Sequence, residues 1–203
     1  MPSRLGSFVR RLKYGEPIIV VSGLPRSGTS MTMKMLDAAG LNCVSDGVRS
    51  ADEDNPKGYF EDERVKSLDR DRDKSWVRAA RGRVIKVVSP LLQHLPADNF
   101  YKVLFMRRNL EEVLASQAKM LARRGEKSQT TDEAMIASYQ QHLEKIEFLL
   151  RYRRYFDVLY LDYKDAIERP RVAAERINTF LGGHLDVDRM TAMVDEQLYR
   201  NRR

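Results

Sequence analysis

The sequence predicts an α/β fold: a three-layer α/β/α domain with a central parallel sheet of about four to five strands. Two observations support this fold class. Short apolar runs typical of buried strands alternate along the chain with longer stretches typical of amphipathic helices. A helical stretch also separates successive strands, and such a crossover brings the two strands together in parallel. With 203 residues, the chain has the length of a single domain.

The first half of the chain contains two predicted strands. Residues 18–22 form a nearly continuous apolar run, the pattern of a strand buried on both faces. The helix predicted at 29–39 is closed by Gly40. A polar helix is predicted at 62–72, after a segment rich in turn residues. The second apolar run, at 84–88, predicts a strand that ends at a Ser-Pro pair.

The third predicted strand begins near Tyr101 and continues through residues 104–106. Asn109 follows it and is placed to cap a helix that stops near Gly125. The first turn of that helix carries two glutamates, where the helix dipole favours negative charge. A strand that leads directly into a capped helix is typical of an α/β sheet with ligand sites at the carboxyl ends of its strands.

The last third of the chain predicts two helices around one strand. Thr130 and Glu133 have the spacing of a capping box for a long helix. The fourth strand is predicted at 158–161. Pro170 stands where a first helical turn tolerates proline, and the Gly-Gly pair that begins at Gly182 ends the helix. We therefore expect one domain over residues 1–203, with a basic N-terminal segment (1–15) and a basic C-terminal tail (184–203).

The chain carries a formal net charge of +7. This excess of basic residues indicates either an ordinary solvated surface or an attraction for anions, such as phosphorylated ligands and acidic substrates. The combination of aromatic and basic residues typical of RNA-binding modules does not accompany it, so we expect no nucleic-acid partner.

The single cysteine and the short lengths of the apolar runs bear on the cellular compartment of the protein. Cys43 is the only cysteine, which suits a reducing cytosol, and we expect a cytoplasmic protein. Residues 1–15 lack the apolar core of a secretory signal, and no apolar run approaches the ~20 residues that span a bilayer. The same N-terminal segment predicts either a short basic helix in peripheral contact with a membrane or a terminus packed locally.

The stretch at 17–36, PIIVVSGLPRSGTSMTMKML, predicts a phosphate-binding loop between a strand and a helix. Gly23 and Gly28 have the spacing of the nucleoside-triphosphate loop G-x-x-x-x-G-K-[ST], but Thr29 occupies the position of the lysine. Backbone N–H groups at the helix start still suit an anion, and Arg26 supplies positive charge. We therefore expect a smaller terminal anion, with no metal ion required. The alternative is a turn between the strand and the helix in which the glycines only permit the backbone conformation and no ligand binds.

The segment GLPRSGTS resembles the phosphosulfate-binding loop of sulfotransferases, the P-loop enzymes that use 3′-phosphoadenosine 5′-phosphosulfate (PAPS). The family pattern is roughly [ST]-x-P-[KR]-S-G-T-[ST]. The resemblance implies that a nucleotide co-substrate, PAPS, binds here. Its 5′-phosphosulfate would then lie against Arg26, Ser27, Gly28, Thr29 and Ser30.

PAPS carries a second phosphate on its ribose, and the stretch FMRRNLEEVLASQ offers a second anion site. Arg108 leaves the third strand, and Ser116 lies on the same side of the next helix as its cap, Asn109. An arginine and a hydroxyl can meet there on one phosphate. The spacing is similar to the family motif R-x7-S, which implies that this pair binds the 3′-phosphate. Arg107 is the alternative arginine.

The catalytic base is the point at which the sequence departs from the family. The run IKVVSP resembles K-T-H-[LFY]-P, with Lys86 retained and Val88 in place of the histidine base. Lys86 is therefore expected to contact the sulfate or the leaving oxygen, where negative charge develops. Glu61, in NPKGYFEDE, resembles the glutamate base of polysaccharide-type sulfotransferases, and His94 is the alternative base.

Three further regions bear on the ligand sites. The segment YLDYKDAIERPRVAAERINTFLGG resembles a late part of sulfotransferases, which implies that Tyr163 lies near the adenine. By the same resemblance, Arg200 in the C-terminal tail reaches the 3′-phosphate. The aromatic side chains of Tyr59, Phe60 and Trp76 either line an acceptor pocket or belong to the core.

The predicted function is transfer of a sulfuryl group from PAPS to a hydroxyl or amine of an unidentified acceptor. The predicted catalytic residues are Glu61 and Lys86, and no cluster of residues has metal-ligand spacing. Two alternatives stay open: a non-catalytic module that binds PAPS or its product, and a small-molecule kinase built on the same fold. The sequence does not reveal an oligomeric state.

Overall fold

The structure is a computed structural model, and it describes residues 4–47, 60–126 and 130–195. Its strands are β1 (Ile18–Gly23), β2 (Val84–Lys86), β3 (Tyr101–Arg107) and β4 (Phe156–Asp162). Two 3₁₀ helices, Ser75–Ala80 and Ser89–His94, flank β2. The helices are α1 (Arg4–Tyr14), α2 (Thr29–Ala38), α3 (Glu63–Lys66), α4 (Leu110–Arg123), α5 (Asp132–Tyr152), α6 (Tyr163–Glu168), α7 (Pro170–Leu181) and α8 (Val187–Ala192).

The four strands form one parallel sheet in the order β2-β1-β3-β4. In the register of the sheet, Val21 lies opposite Lys86 of β2 and Leu104 of β3. The carboxyl ends of β1, β2 and β3 therefore meet at one edge of the sheet, where ligands of such folds bind. The predicted fold class and the parallel sheet are confirmed.

Apolar side chains on the two faces of the sheet form separate cores. On one face, Val20 and Phe105 belong to a cluster that includes Ile146 of α5. On the other face, Val21 belongs to a cluster that includes Met33 of α2 together with residues of α7 and α8. Strands buried on both faces need apolar residues at every position, which explains the continuous apolar run of β1. Helices on both sides of the sheet complete the three layers.

Helix boundaries differ from the sequence prediction at three places. The cap of α5 is Thr131, whose hydroxyl accepts a hydrogen bond from the N–H of Ala134, and not Thr130. The helix predicted at 62–72 is reduced to the four residues of α3, followed by turns in which Leu68 is fully buried. Helix α6 was not predicted, because Asp162 ends β4 and caps α6 with no glycine or proline between them.

The terminal segments are helical where they are described. In α1, Arg10 pairs with Asp157 of β4 and lies over the ring of Phe100, so this helix packs at the amino ends of the strands. Peripheral membrane contact stays a prediction. Within the predicted tail, α8 buries Met190 completely, so this part is packed against the domain and is not an extended tail. Among the described helices, none is both long and apolar enough to cross a bilayer.

Candidate active site

The turn between β1 and α2 has a backbone that only particular residues can adopt. Gly23 has φ +149° and Gly28 has φ +100°, a range that favours glycine. A Cβ on Gly23 would lie 2.4 Å from Ser27 Oγ and 2.6 Å from the carbonyl oxygen of Met106. Arg26 has φ +68°, a conformation that is uncommon for a residue with a side chain. The turn is therefore closely packed on β3, and glycine is required at its base.

The ring of Tyr163 supports the other end of the turn. A Cβ on Gly28 would lie 2.4 Å from Cδ2 of Tyr163, so the ring packs directly against the glycine. Tyr163 begins α6 and is 5% exposed. Burial raises the pKa of its phenol, an effect that the nearby guanidinium of Arg108 partly offsets. Tyr163 thus contacts the glycine turn and the predicted 3′-phosphate arginine.

The beginning of α2 presents donors suited to an anion. Gly28 is the residue before the first helical turn, and no side chain of the described residues caps this end of the helix. Ser27 is 1% exposed, and its hydroxyl has no hydrogen-bond partner within the described parts of the chain. A buried hydroxyl without a partner is costly unless a ligand satisfies it. Such a set of donors suits an anion.

Arg26 connects this turn to the second predicted anion site. Its Nε donates a hydrogen bond of 2.9 Å to the hydroxyl of Ser116 on α4. Ser116 is 6% exposed, and it lies two turns into the helix that Asn109 caps, as the sequence predicts. The structure therefore brings the Gly28 turn and the predicted partner of Arg108 within one hydrogen bond of each other.

Arg108 is held by three groups around this site. Its Nε donates to Glu112 Oε2 at 2.9 Å, and its Nη1 donates to the carbonyl oxygen of Arg26 at 3.0 Å. Its guanidinium lies 4.2 Å from the centre of the Tyr163 ring. Arg107, the alternative from the sequence, turns to α5 instead, where it pairs with Glu147 at 2.7 Å. Of the two arginines, only Arg108 adjoins the turn.

Lys86 lies on the other side of the turn, at the end of β2. Its Nζ is 3.3 Å from Ser30 Oγ and 3.2 Å from Glu61 Oε1. Glu61 is also 3.3 Å from Nζ of Lys66 through its second oxygen. A hydrogen bond to Glu63 raises the pKa of Lys66, which keeps this lysine charged. The two predicted catalytic residues are therefore in contact with each other and with the start of α2.

The alternative base, His94, lies at the end of a 3₁₀ helix, where its carbonyl oxygen accepts a hydrogen bond from Lys74. A different histidine approaches the segment that follows β2. Nε2 of His142, on α5, is 2.9 Å from the hydroxyl of Ser89, which is fully buried. Burial lowers the pKa of His142, and Lys145 adds to the effect. Ser89 begins the 3₁₀ helix, so this buried contact joins that helix to α5.

Comparison with protein families decides the assignment. The family model described as the sulfotransferase domain matches residues 16–203, which is most of the chain. The chain belongs to the sulfotransferase domain family. The match confirms the predicted family and the predicted class of enzyme, a transferase.

Solved structures resemble this sulfotransferase in fold. The sulfotransferase domain from the curacin biosynthetic pathway is 15% identical, with a TM-score of 0.50 over 90% of this chain and 89% of that one. The sulfotransferase domain of the Synechococcus PCC 7002 olefin synthase is 18% identical, with a TM-score of 0.51 over 92% and 83% of the two chains.

A sulfotransferase from Mycobacterium tuberculosis H37Rv is 16% identical, with a TM-score of 0.56 over 94% of this chain and 76% of that one. At these identities the similarity shows the fold alone. Comparison with curated proteins found no match.

The remaining predicted residues of the sulfotransferase domain fall in different places. Phe60 packs against the core on the α2 face, and Trp76 packs against the opposite core beneath the guanidinium of Arg64. Both contacts are those of core residues. Tyr59 and Arg200 lie outside the described residues.

Two side chains of the site, Glu112 and Lys66, were not predicted from the sequence. Glu112 stands four residues after Arg108, a spacing at which helical residues face each other, so the motif contained a signal for this pair. Lys66 reaches Glu61 because it is the last residue of α3, the short helix that begins two residues after Glu61. The sequence carries no signal for that contact.

Proposed function

We propose that this sulfotransferase moves the sulfuryl group of PAPS to a hydroxyl or amine acceptor and releases 3′-phosphoadenosine 5′-phosphate (PAP). The observation that carries the proposal is the hydrogen bond of 2.9 Å between Arg26 and Ser116. It links the glycine turn to the arginine–serine pair at the end of β3. A ligand with two separate phosphate groups is the kind of molecule that two adjacent anion sites suit.

The 5′-phosphosulfate is proposed to lie at the start of α2. Backbone N–H groups from Ser27 to Ser30 would donate to it, and the buried hydroxyl of Ser27 would gain a partner. The helix dipole favours negative charge at this end. Arg26 would add a charge-assisted contact from within the turn.

The 3′-phosphate is proposed to lie between Arg108 and Ser116. Stacking on Tyr163 fixes the plane of the Arg108 guanidinium, which favours a directed, charge-assisted contact with a phosphate. Tyr163 already contacts Gly28 and Arg108. Its proposed role is therefore to support these two groups, and its contact with the adenine stays a prediction.

Sulfuryl transfer forms a bond from the acceptor oxygen or nitrogen to sulfur and breaks the bond from sulfur to the bridging oxygen of PAPS. The bridging oxygen gains negative charge and leaves with PAP. Lys86, which adjoins Ser30, is the cation proposed to stabilise that charge. Glu61 is proposed to accept the proton of the attacking group, because its carboxylate lies 3.2 Å from Lys86 at the same edge of the sheet.

The test is turnover of PAPS with a panel of hydroxyl and amine acceptors, together with calorimetry of PAP binding. Lys86→Met should lower kcat by about 10²–10³ while PAP still binds, because a cation that acts on developing charge contributes mainly to the transition state. Glu61→Gln should also lower kcat and leave PAP binding in place.

Lys66→Met is the matched control. Lys66 contacts the same carboxylate as Lys86, but its side chain is 48% exposed, whereas that of Lys86 is 10% exposed. Loss of Lys66 should therefore lower kcat much less than loss of Lys86. PAP binding without turnover on any acceptor of the panel would favour a binding module over an enzyme. Magnesium-dependent binding of ATP that is tighter than binding of PAP would favour a kinase and contradict the proposal.

A further inference from the structure

Glu112 contacts Arg108, one of the two side chains proposed to bind the 3′-phosphate. Its carboxylate accepts the hydrogen bond of 2.9 Å from Arg108 Nε. The side chains of this pair are 5% and 7% exposed. The function proposed above assigns no role to Glu112, although a buried carboxylate is unusual unless it has a paired charge.

The helix places Glu112 between the two groups that are proposed to hold the phosphate. Glu112 stands four residues before Ser116, so both face the same side of α4, and its carboxylate contacts Arg108, which precedes the cap of this helix. A phosphate that contacts both Arg108 and Ser116 must therefore lie beside the carboxylate of Glu112. Two anions would share a buried site, and their repulsion is strong where water is largely excluded.

Glu112 also balances charge before a nucleotide binds. Arg108 Nη1 donates to the backbone carbonyl oxygen of Arg26, and the guanidinium of Arg26 donates to Ser116, so two cationic side chains belong to one small network. The carboxylate of Glu112 pairs with Arg108 in the manner of a phosphate oxygen. Removing one partner of a buried pair leaves the other charge uncompensated, so Glu112 stabilises the site while it is empty of nucleotide.

We propose that Glu112 sets nucleotide affinity, an inference that rests on the proposed PAPS site. It balances the charge of Arg108 in the free enzyme and then repels the 3′-phosphate of the bound nucleotide. Because Arg108 is held independently by the Arg26 carbonyl and by the Tyr163 ring, loss of the carboxylate charge does not release the guanidinium. Glu112 therefore weakens PAP binding, which favours release of this product after each turnover.

The test compares PAP and adenosine 5′-phosphate, which lacks the 3′-phosphate, by calorimetry. Glu112→Gln keeps an oxygen that can accept from Arg108 Nε and removes the charge. We expect Glu112→Gln to lower the Kd for PAP on the order of tenfold, because removing one buried contact between like charges changes a Kd by about that factor. The Kd for adenosine 5′-phosphate should stay within about twofold, since no group of that ligand meets Glu112.

Glu111→Gln is the matched control. Glu111 is the neighbour of Glu112 in the same first turn and shares the cap Asn109, but it is exposed. The control removes the same charge from the same helix end, so it measures the general electrostatic effect. We expect less than about a twofold change in the Kd for PAP.

Each outcome separates this inference from the proposed function. Weaker or unchanged PAP binding by Glu112→Gln, in a wild type that binds PAP, overturns the role of Glu112 and leaves the proposed function standing. An equal gain for adenosine 5′-phosphate also overturns it, because the effect then lies elsewhere. If the wild type does not bind PAP, both proposals fail. Glu112→Met, which removes the same charge from a side chain of similar length, gives the same readout should the glutamine variant not fold.

Discussion

Arg26 Nε and Ser116 Oγ are joined by a hydrogen bond of 2.9 Å across 90 residues of sequence. The arginine is in the turn after β1, and the serine is on α4, the helix that follows β3. Arg26 has a positive φ, and its contact with Ser116 places the serine hydroxyl beside the glycine turn. A change on α4 is therefore expected to affect both proposed phosphate sites.

Ser116→Ala should raise the Kd for PAP by about tenfold, because a hydrogen bond to a charged group contributes on the order of 1.5–3 kcal/mol. The Kd for adenosine 5′-phosphate should rise less, since that ligand lacks the group proposed to meet Ser116. Calorimetry with both nucleotides measures the difference. Ser138→Ala, on the exposed face of α5, is the control. Equal losses for both nucleotides would show that Ser116 acts only through Arg26.

Gly28→Ala should lower the free energy of unfolding by about 2–4 kcal/mol, because the new methyl group meets the Tyr163 ring in a strained backbone. Gly40→Ala is the matched control. Gly40 has φ +85°, but a Cβ added there would meet nothing within 4 Å, so only backbone strain of about 1 kcal/mol applies. Urea denaturation measures both. An equal loss of unfolding free energy in the two variants would mean that the Tyr163 ring moves away from the new methyl group without an energetic penalty.

Cys43 should react slowly with an aromatic disulfide reagent at pH 8. Burial raises the pKa of its thiol to about 12, and Asp37 adds to the effect, so little thiolate is present. The chain unfolded in guanidinium, with a thiol pKa near the ordinary value, should react at least about tenfold faster. Comparable rates in the two states would contradict the burial of this thiol.

The same shift gives the sign of a pH effect. Above the ordinary thiol pKa of 9.0, the unfolded chain loses the proton of Cys43 while the folded protein keeps it. The free energy of unfolding should therefore fall as the pH rises from about 9 to 12. Cys43→Ala removes this contribution, so the pH dependence of the variant should be less steep over that range.

The sheet was predictable from the sequence because its strands are buried on both faces. Burial on both sides demands apolar residues at successive positions, and β1 is an unbroken example. The residue that caps the start of a helix was harder to assign from the sequence. Thr130 and Thr131 are chemically equivalent, and packing of the helix against the domain selects Thr131 as the cap of α5.

The candidate site was predictable where two residues share one local element. Arg108, Asn109 and Ser116 follow from the strand end and the helix period. Contacts between distant segments, such as that of Glu61 with Lys86, depend on how loops fold back on the sheet. Neither periodicity nor a motif encodes the approach of such segments.

Because β1 lies between β2 and β3, the start of α2 has Lys86 on one side and Arg108 on the other. A nucleotide bound as proposed would have a fixed polarity, with its reactive end towards β2 and its adenosine towards β3. The acceptor would therefore meet that reactive end beside β2, on the side of β1 away from the adenosine.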